Sequence, residues 1–373
     1  MRKNYIVGIA AIAAAAALTL SGCSTGRTAG GSGDASSSAS SIPKGSLIGV
    51  ALPAKTSQNW VLAGEDFQDS ITKAGFKADI QYADNNTPVP SQQSEVNSMI
   101  TKGAKAIIIG AADGSQLGTQ VAAAKKAGIT VIAWDRNILN TEDVDYYVAF
   151  NNFHVGELQA QALLDGLKKQ KGSGPYNVEL FAGSPDDANA TVFFNGAMSV
   201  LKPKIDDGTL KVASGQTTFQ KVVTQGWLAQ NAQKRMTDLI TANYAKGTKL
   251  DGVLSPNDTL ARAILQATKS AGLPTPVVTG QDSETDSIPL IMNGTQYSTI
   301  YKDTTLEANA AIDLVKTLST GDKPKTVDDK TNNFNGKITV PAIELTPVLV
   351  TKDNAVEAYK NNPDLEKLAT AGQ

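Results

Sequence analysis

Charged and amide side chains stand directly behind short apolar runs at several places in this 373-residue chain. Asp135 and Arg136 follow the run 129–134, Asn257 and Asp258 follow 252–254, and Asp282 follows Val277-Val278. Lys55 trails the run 47–52, Asp113 trails 106–109, Asp186 to Asn189 trail 178–181, and Lys302 completes the set. A carboxylate only accepts hydrogen bonds, whereas a guanidinium or ammonium only donates. An adjacent Asp-Arg pair can therefore satisfy a hydroxyl, which does both. Other chemistries find little material. His154 is the only histidine and Cys23 the only cysteine, so a multi-histidine zinc site or a Ser-His-Asp triad is poorly supplied. A disulfide within one chain and a cysteine-based metal site are excluded. The chain has no Gly-x-x-x-x-Gly-Lys-Ser/Thr motif, no cofactor is expected, and it is not expected to be an enzyme. Net charge is −2 with both signs interspersed, which argues against nucleic-acid binding.

The intervening sequence indicates what positions these groups. From residue 47 onward, apolar runs at 47–52, 78–82, 106–109 and 129–134 alternate with helical stretches predicted over 64–75, 91–102 and 121–127. The rhythm restarts after Asn152. A helix over 153–170, a run at 178–181, a helix near 195–201 and a run at 210–212 lead to a long helix over 226–242. Runs at 252–254 and 277–278 flank a helix after Asp258, read as its N-cap, and Asp113-Gly114-Ser115-Gln116 has capping-box spacing. Continuous Ile/Val/Ala runs between helices are what a parallel sheet covered on both faces requires. About 330 residues remain after the amino-terminal region, more than one core usually serves. The expected fold is α/β, with two doubly wound parallel-sheet lobes joined by a hinge. The first lobe is assigned 45–150 plus 303–335, and the second 151–302 plus 336–373. Ligands of open parallel sheets bind beyond the carboxyl ends of the strands. Two facing lobes would turn the polar residues above into opposite walls of one cleft.

The amino terminus has signal-peptide chemistry, with Arg2 and Lys3 preceding an apolar run from Ile6 to Leu20 that is too short to be a spanning helix. Leu20-Ser21-Gly22-Cys23 resembles the bacterial lipobox. That resemblance implies a leader over 1–22 and lipid attachment at Cys23. A Ser/Gly/Ala/Thr tract then reads as a flexible tether over 23–44, holding an extracytoplasmic body to the membrane.

Six short stretches resemble the periplasmic sugar-binding family of the ribose, galactose and xylose type, most closely its xylose-binding and multiple-monosaccharide-binding members. They are Trp134-Asp135-Arg136, the run 149–152, the run 183–190, Ser255-Pro256-Asn257-Asp258, Gly280-Gln281-Asp282 and Tyr301-Lys302-Asp303. Each is weak alone, and their order over residues 46–350 carries the likeness. The resemblance implies a monosaccharide gripped by Asp135 and Arg136 from the first lobe and by Asn257, Asp282 and Lys302 from the second, with Asn189 and Lys55 approaching it. It also implies aromatic rings stacked on the sugar's C–H face. Trp60 matches one such ring, and Trp227 is chosen as the other. The chain departs from xylose-type members at Thr217, where they tend to carry a tryptophan.

Each assignment has a plainer reading. Trp60 or Trp227 can be core, Asp135-Arg136 a surface ion pair of little worth, and Asn151 a hinge residue. Of Asn257 and Asp258, the cap is given to Asp258 and the ligand to Asn257. His154 reads as a first-turn helix residue. The family likeness implies a monomer that hands its sugar to an ABC permease and its ATPase subunit. A sugar sensor signalling to a membrane receptor or kinase uses the same site. A repressor of the same fold would need a DNA-binding helix-turn-helix where the leader and tether stand, and a sugar-processing enzyme would need a positioned acid and base.

Overall fold

A computed structural model describes residues 42–372 apart from Thr56 and Lys246. The leader, Cys23 and the tether as far as residue 41 lie outside the described residues.

The first series runs β1 (Leu47–Leu52), α1 (Gln58–Lys73), β2 (Lys77–Tyr82), α2 (Pro88–Thr101), β3 (Ala106–Ile109), α3 (Gly118–Lys126), β4 (Thr130–Trp134) and β5 (Tyr146–Phe150). Next come α4 (Asn152–Lys171), β6 (Tyr176–Leu180), α5 (Ala188–Asp206), β7 (Leu210–Val212), α6 (Phe219–Val222) and α7 (Ala229–Leu239). After these stand β8 (Gly252–Leu254), α8 (Asp258–Ser270), β9 (Val277–Val278), α9 (Ile288–Met292) and β10 (Ser298–Tyr301). The remainder is α10 (Thr304–Thr320), α11 (Lys330–Asn333), β11 (Ala342–Leu345), β12 (Val348–Thr351), α12 (Ala355–Ala358) and α13 (Pro363–Ala371).

The first sheet has the order β11-β5-β4-β3-β1-β2 and is parallel throughout. Its apolar runs are unbroken because both faces are covered. On β3, Ile108 packs with Phe67 and Val315 from α1 and α10, while Ile107 and Ile109 pack with Met99 and Val121 from α2 and α3. The second sheet, β7-β6-β8-β9, is also parallel. Leu180 and Leu254 meet α4 and α5 on one face, and Val253 and Val278 meet α7 and α8 on the other. The two predicted doubly wound sheets are therefore present.

Helices α4 and α5 lie backbone against backbone. A Cβ on Gly156 would stand 1.9 Å from the Phe193 carbonyl oxygen, and one on Gly196 would stand 2.0 Å from that of Phe153. Only glycine fits either position.

The carboxyl-terminal stretch departs from expectation. Residues from 336 on were assigned to the second lobe, but β11 pairs in parallel with β5 and extends the first sheet. A four-residue apolar strand carries no sign of which sheet it will join, and the free edge of β5 takes it. β12 then pairs antiparallel with β10, beside the second sheet. The chain thus passes between the halves at 150–152, at 301–304 and at 345–348. Amides tie two of these passages together. The Asn151 backbone N–H donates to the Leu345 carbonyl at 2.9 Å. Glu344 accepts from Asn151 Nδ2 at 3.1 Å and from Asn333 Nδ2 at 2.8 Å.

The helix predicted over 226–242 begins late. Gly226 and Trp227 have φ of 66° and 54°, so a short turn over Gln225–Trp227 precedes α7. Left-handed backbone cannot continue a right-handed helix.

Candidate functional site

The carboxyl ends of both sheets open on one cleft of about 600 Å³. Trp60, Asp135, Arg136, Asn189, Trp227, Asn257, Asp282 and Lys302 all line it, and Lys55 does not. The exposed Lys55 ammonium lies 4.3 Å from the centre of the Tyr82 ring. Ala54 and Ser57 on either side line the cleft, but the Lys55 side chain turns outward, where a flexible basic stem gains more on an aromatic face.

Three of the cleft residues are held in strained backbone. Asp135, Trp227 and Asp282 have φ of 56°, 54° and 90°, a region that side-chain-bearing residues visit rarely and at a cost. At Asp135 the cause is visible. The Arg136 N–H donates to the Trp134 carbonyl at 2.6 Å, closing a three-residue turn that lifts Asp135 off the end of β4. The surroundings enforce that turn. Its carbonyl accepts from Tyr147 Oη at 2.7 Å and from Asn189 Nδ2 at 2.8 Å. Asn189 also accepts from Tyr147 Oη through Oδ1 at 3.2 Å, so both ends of its amide brace the Asp135 backbone.

Lys302, at the end of β10, joins the walls. Its Nζ lies 3.6 Å from Asp135 Oδ2 and 3.4 Å from Asp282 Oδ1, with side chains only 10–17% exposed. These separations exceed the 2.7–2.9 Å of a tight charge-assisted bond, so lone pairs and N–H groups remain for a guest. Arg136 Nε lies 3.2 Å from Asp187 Oδ2 across the cleft, and the guanidinium sits 5.1 Å from the Trp60 ring centre. Asp187 caps α5 by accepting from the Asn189 N–H, and it also accepts from Trp227 Nε1 at 3.2 Å.

Trp60 has two neighbours. It is 8% exposed and packs edge-on to Trp134 at 6.1 Å, so it belongs to the first core and lines the cleft at once. Trp227 leans on the Gly183 backbone, where a Cβ would fall 2.1 Å from the indole ring.

Asn257 takes the capping part expected of Asp258 and keeps its place in the cleft. Asn257 Oδ1 accepts from the Leu260 N–H at 2.9 Å and caps α8, leaving Nδ2 for the cleft. Asp258 is the first helical residue and fully buried, accepting from Gln296 Nε2, Thr299 Oγ1 and the Glu284 N–H. Asp113 is also corrected. It accepts from Ser115 in its own turn, four residues short of the Leu117 that precedes α3. Asn151 caps α4, and His154 Nδ1 meets Glu157 at 3.0 Å in its first turn.

Burial shapes the protonation of the cleft. It raises the Asp282 carboxyl to about 6 against the opposing charge of Lys302. It also raises Asp187 against Arg136. Burial alone would lower Lys302, but Asp135, Asp282, Glu307 and Asp187 outweigh it and raise the ammonium. Several cleft residues were not chosen as ligands from the sequence, Asp187, Glu284 and Glu307 among them. Asp187 stands beside the more conspicuous Asp186, and its capping offset was the available signal. Glu307 shares the stripe of Ala311, Leu314 and Leu318 on α10, and a carboxylate on an otherwise apolar stripe was the signal there.

A periplasmic binding protein domain model matches residues 48–323. The multiple sugar-binding periplasmic receptor ChvE of Rhizobium radiobacter is 46% identical over 312 residues, spanning 82% of this chain and 87% of that receptor. The D-xylose-binding periplasmic protein of Escherichia coli is 38% identical, over 82% of this chain and 87% of its own length. A solved ABC transporter solute-binding protein from Clostridium phytofermentans, holding β-D-glucose, superposes with a TM-score of 0.80 at 38% identity. That match covers 86% of this chain and 99% of the solved one.

Proposed function

The chain belongs to the periplasmic binding protein family, and from that premise we propose that it captures a single aldopentose or hexose between its sheets and delivers it to an ABC import permease. The observation that carries the reading is Lys302, in contact with Asp135 of one wall and Asp282 of the other. Asp135 and Asp282 accept from sugar hydroxyls, while Arg136, Lys302 and the Asn257 amide donate to them. Trp60 and Trp227 supply apolar faces for the C–H surface. Closure buries the hydroxyls, and an epimer with one hydroxyl misplaced leaves a buried group unpaired at a cost of about 1–3 kcal/mol. Micromolar affinity is expected, on the order of −8 kcal/mol.

The reading extends to the amino terminus, where the lipobox-like Leu20 to Cys23 supports acylation of Cys23 and tethering of a monomer outside the membrane. Release of a Cys23→Ser variant from membranes would accord with that, and its retention would refute it. For the ligand, calorimetric titration of the full chain against D-glucose, D-xylose, D-galactose, L-arabinose and D-fructose is the direct test. Heat of binding without product formation is expected for at least one sugar, and silence across the panel would overturn the assignment.

A further inference from the structure

The binding scheme above leaves one side chain of the cleft floor unused. Glu307, in the first turn of α10, is 2% exposed and lines the cleft. Its Oε1 is buried and has no hydrogen-bond partner among the described residues. A buried acceptor left unpaired is costly, and native proteins rarely tolerate one without a use. The charged groups around it come from several neighbouring elements, and on α1 Asp66 accepts from Thr305 Oγ1 in the same turn of α10. Asp135 stands behind β4, Asp282 behind β9 and Lys302 behind β10, with the Tyr147 phenol on β5 and Asp303 capping Glu307's own helix. Asp187 and Arg136 lie further along the cleft. Glu284, on the same wall as Asp282, is already paired with Arg262 at 2.5 Å.

Lys302 is committed to Asp135 and Asp282, and Arg136 to Asp187. A fourth charged carboxylate at Glu307 would have no cation of its own in a site screened from water. We propose that Glu307 is a ligand-contacting carboxylic acid, kept un-ionised on the cleft floor, whose O–H donates to a sugar oxygen and whose ionisation releases the sugar. The proposal rests on the sugar reading and adds a residue and a proton to it. Burial first, and the Asp135 charge second, hold this carboxyl well above the ordinary glutamate range against the pull of Lys302. Ionised Glu307 would lose its donor, turn a negative charge on the sugar oxygen's lone pairs and repel Asp135, its proton passing to solvent. The neutral acid is therefore the competent form. Affinity is present at neutral pH and lost as pH rises through the titration of Glu307.

The experiment is calorimetric titration of the full chain with D-glucose and with D-xylose, from neutral to alkaline pH. The dissociation constant should rise above the Glu307 titration by up to about tenfold per pH unit, the limit for one linked proton. Glu307→Gln should bind at neutral pH and lose that slope, because an amide donates without ionising. A Glu307 that only supported the fold would alter the melting temperature of the variant and leave the slope in place, which would overturn the proposal. A flat wild-type profile would overturn it too. Should Glu307→Gln fail to fold, titration of the wild type at alkaline pH in two buffers of different ionisation enthalpy decides. Proton uptake on binding is expected, and none would refute the idea. Silence across all five sugars of the panel at neutral pH would sink the sugar reading and this inference together, whereas binding without an alkaline limb sinks this inference alone.

Discussion

Arg136 Nε stands 3.2 Å from Asp187 Oδ2, so the loop behind β4 is held electrostatically to the loop behind β6. The Nε–H is not aimed at that oxygen and forms no hydrogen bond there. The contact is charge against charge, and apart from Nη1, which donates to the Ala111 carbonyl at 3.3 Å, the guanidinium keeps its donors for another acceptor. Asp187→Asn tests it. Turned so that its oxygen still caps α5, the amide presents its NH₂ to both Arg136 and Trp227 Nε1. Sugar affinity should fall roughly tenfold to a hundredfold, from loss of about 1.5–3 kcal/mol. Calorimetry measures this, and an unchanged constant would show the pair to be idle.

Asp135→Asn separates ligand contact from scaffold. Asparagine tolerates the φ of 56°, and Tyr147 and Asn189 hold the backbone carbonyl rather than the side chain. The melting temperature should stay nearly constant. Binding should weaken by at least about tenfold, because one charged acceptor worth about 1.5–3 kcal/mol is gone. Retained affinity would move the site away from Asp135.

A second contact spans the cleft at its rim, where Thr285 Oγ1 donates to Gln58 Oε1 at 3.2 Å. It touches no ligand, so its removal should act on closure. Thr285→Val is expected to raise the dissociation constant about twofold to tenfold, chiefly through faster release, as a neutral hydrogen bond contributes about 0.5–1.5 kcal/mol. Stopped-flow release rates check it; a change confined to the association rate would contradict the assignment.

Acid should also weaken binding. Asp282 titrates at about 6, raised by burial against Lys302. A hydroxyl donating to the carboxylate favours the ionised form, so the bound protein holds this group at a lower pKa than the free one. Affinity is then complete well above pH 6 and declines as pH falls through it. Asp282→Asn should flatten that acid limb while lowering affinity throughout.

The α4–α5 contact offers a stability test. Gly196→Ala places a methyl 2.0 Å from the Phe153 carbonyl oxygen, against backbone that cannot swing aside. Destabilisation of at least about 1–3 kcal/mol is expected, readable as a lower denaturation midpoint. A variant as stable as the parent would mean that the helices part easily.

What the sequence made legible followed from periodicity. Runs such as Ala-Ile-Ile-Ile in β3 are apolar on both faces and declare a covered parallel strand, and most of the polar residues behind the strands, though not Lys55 or Asp113, fell into the cleft because parallel strands all end on one side. Periodicity was silent about which of two adjacent side chains caps a helix, hence the cap expected of Asp258 that Asn257 supplies. It also carried no sheet assignment for β11, since pairing partners are decided by whichever edge lies open. Trp227 owes its place to two consecutive left-handed residues, and only Gly226 announces one of them. Glu307 was hidden by the opposite rule, a helical stripe that looked like ordinary core.

The three passages between the halves carry a mechanical implication. With the passages at Asn151 and Leu345 clasped together near Glu344, sideways slip of one sheet past the other would break amide contacts, whereas a swing about that seam would spare them. Rim separation then becomes a one-dimensional gauge of occupancy. A pair of dyes placed on opposite rims should report the guest by energy transfer, whatever its identity.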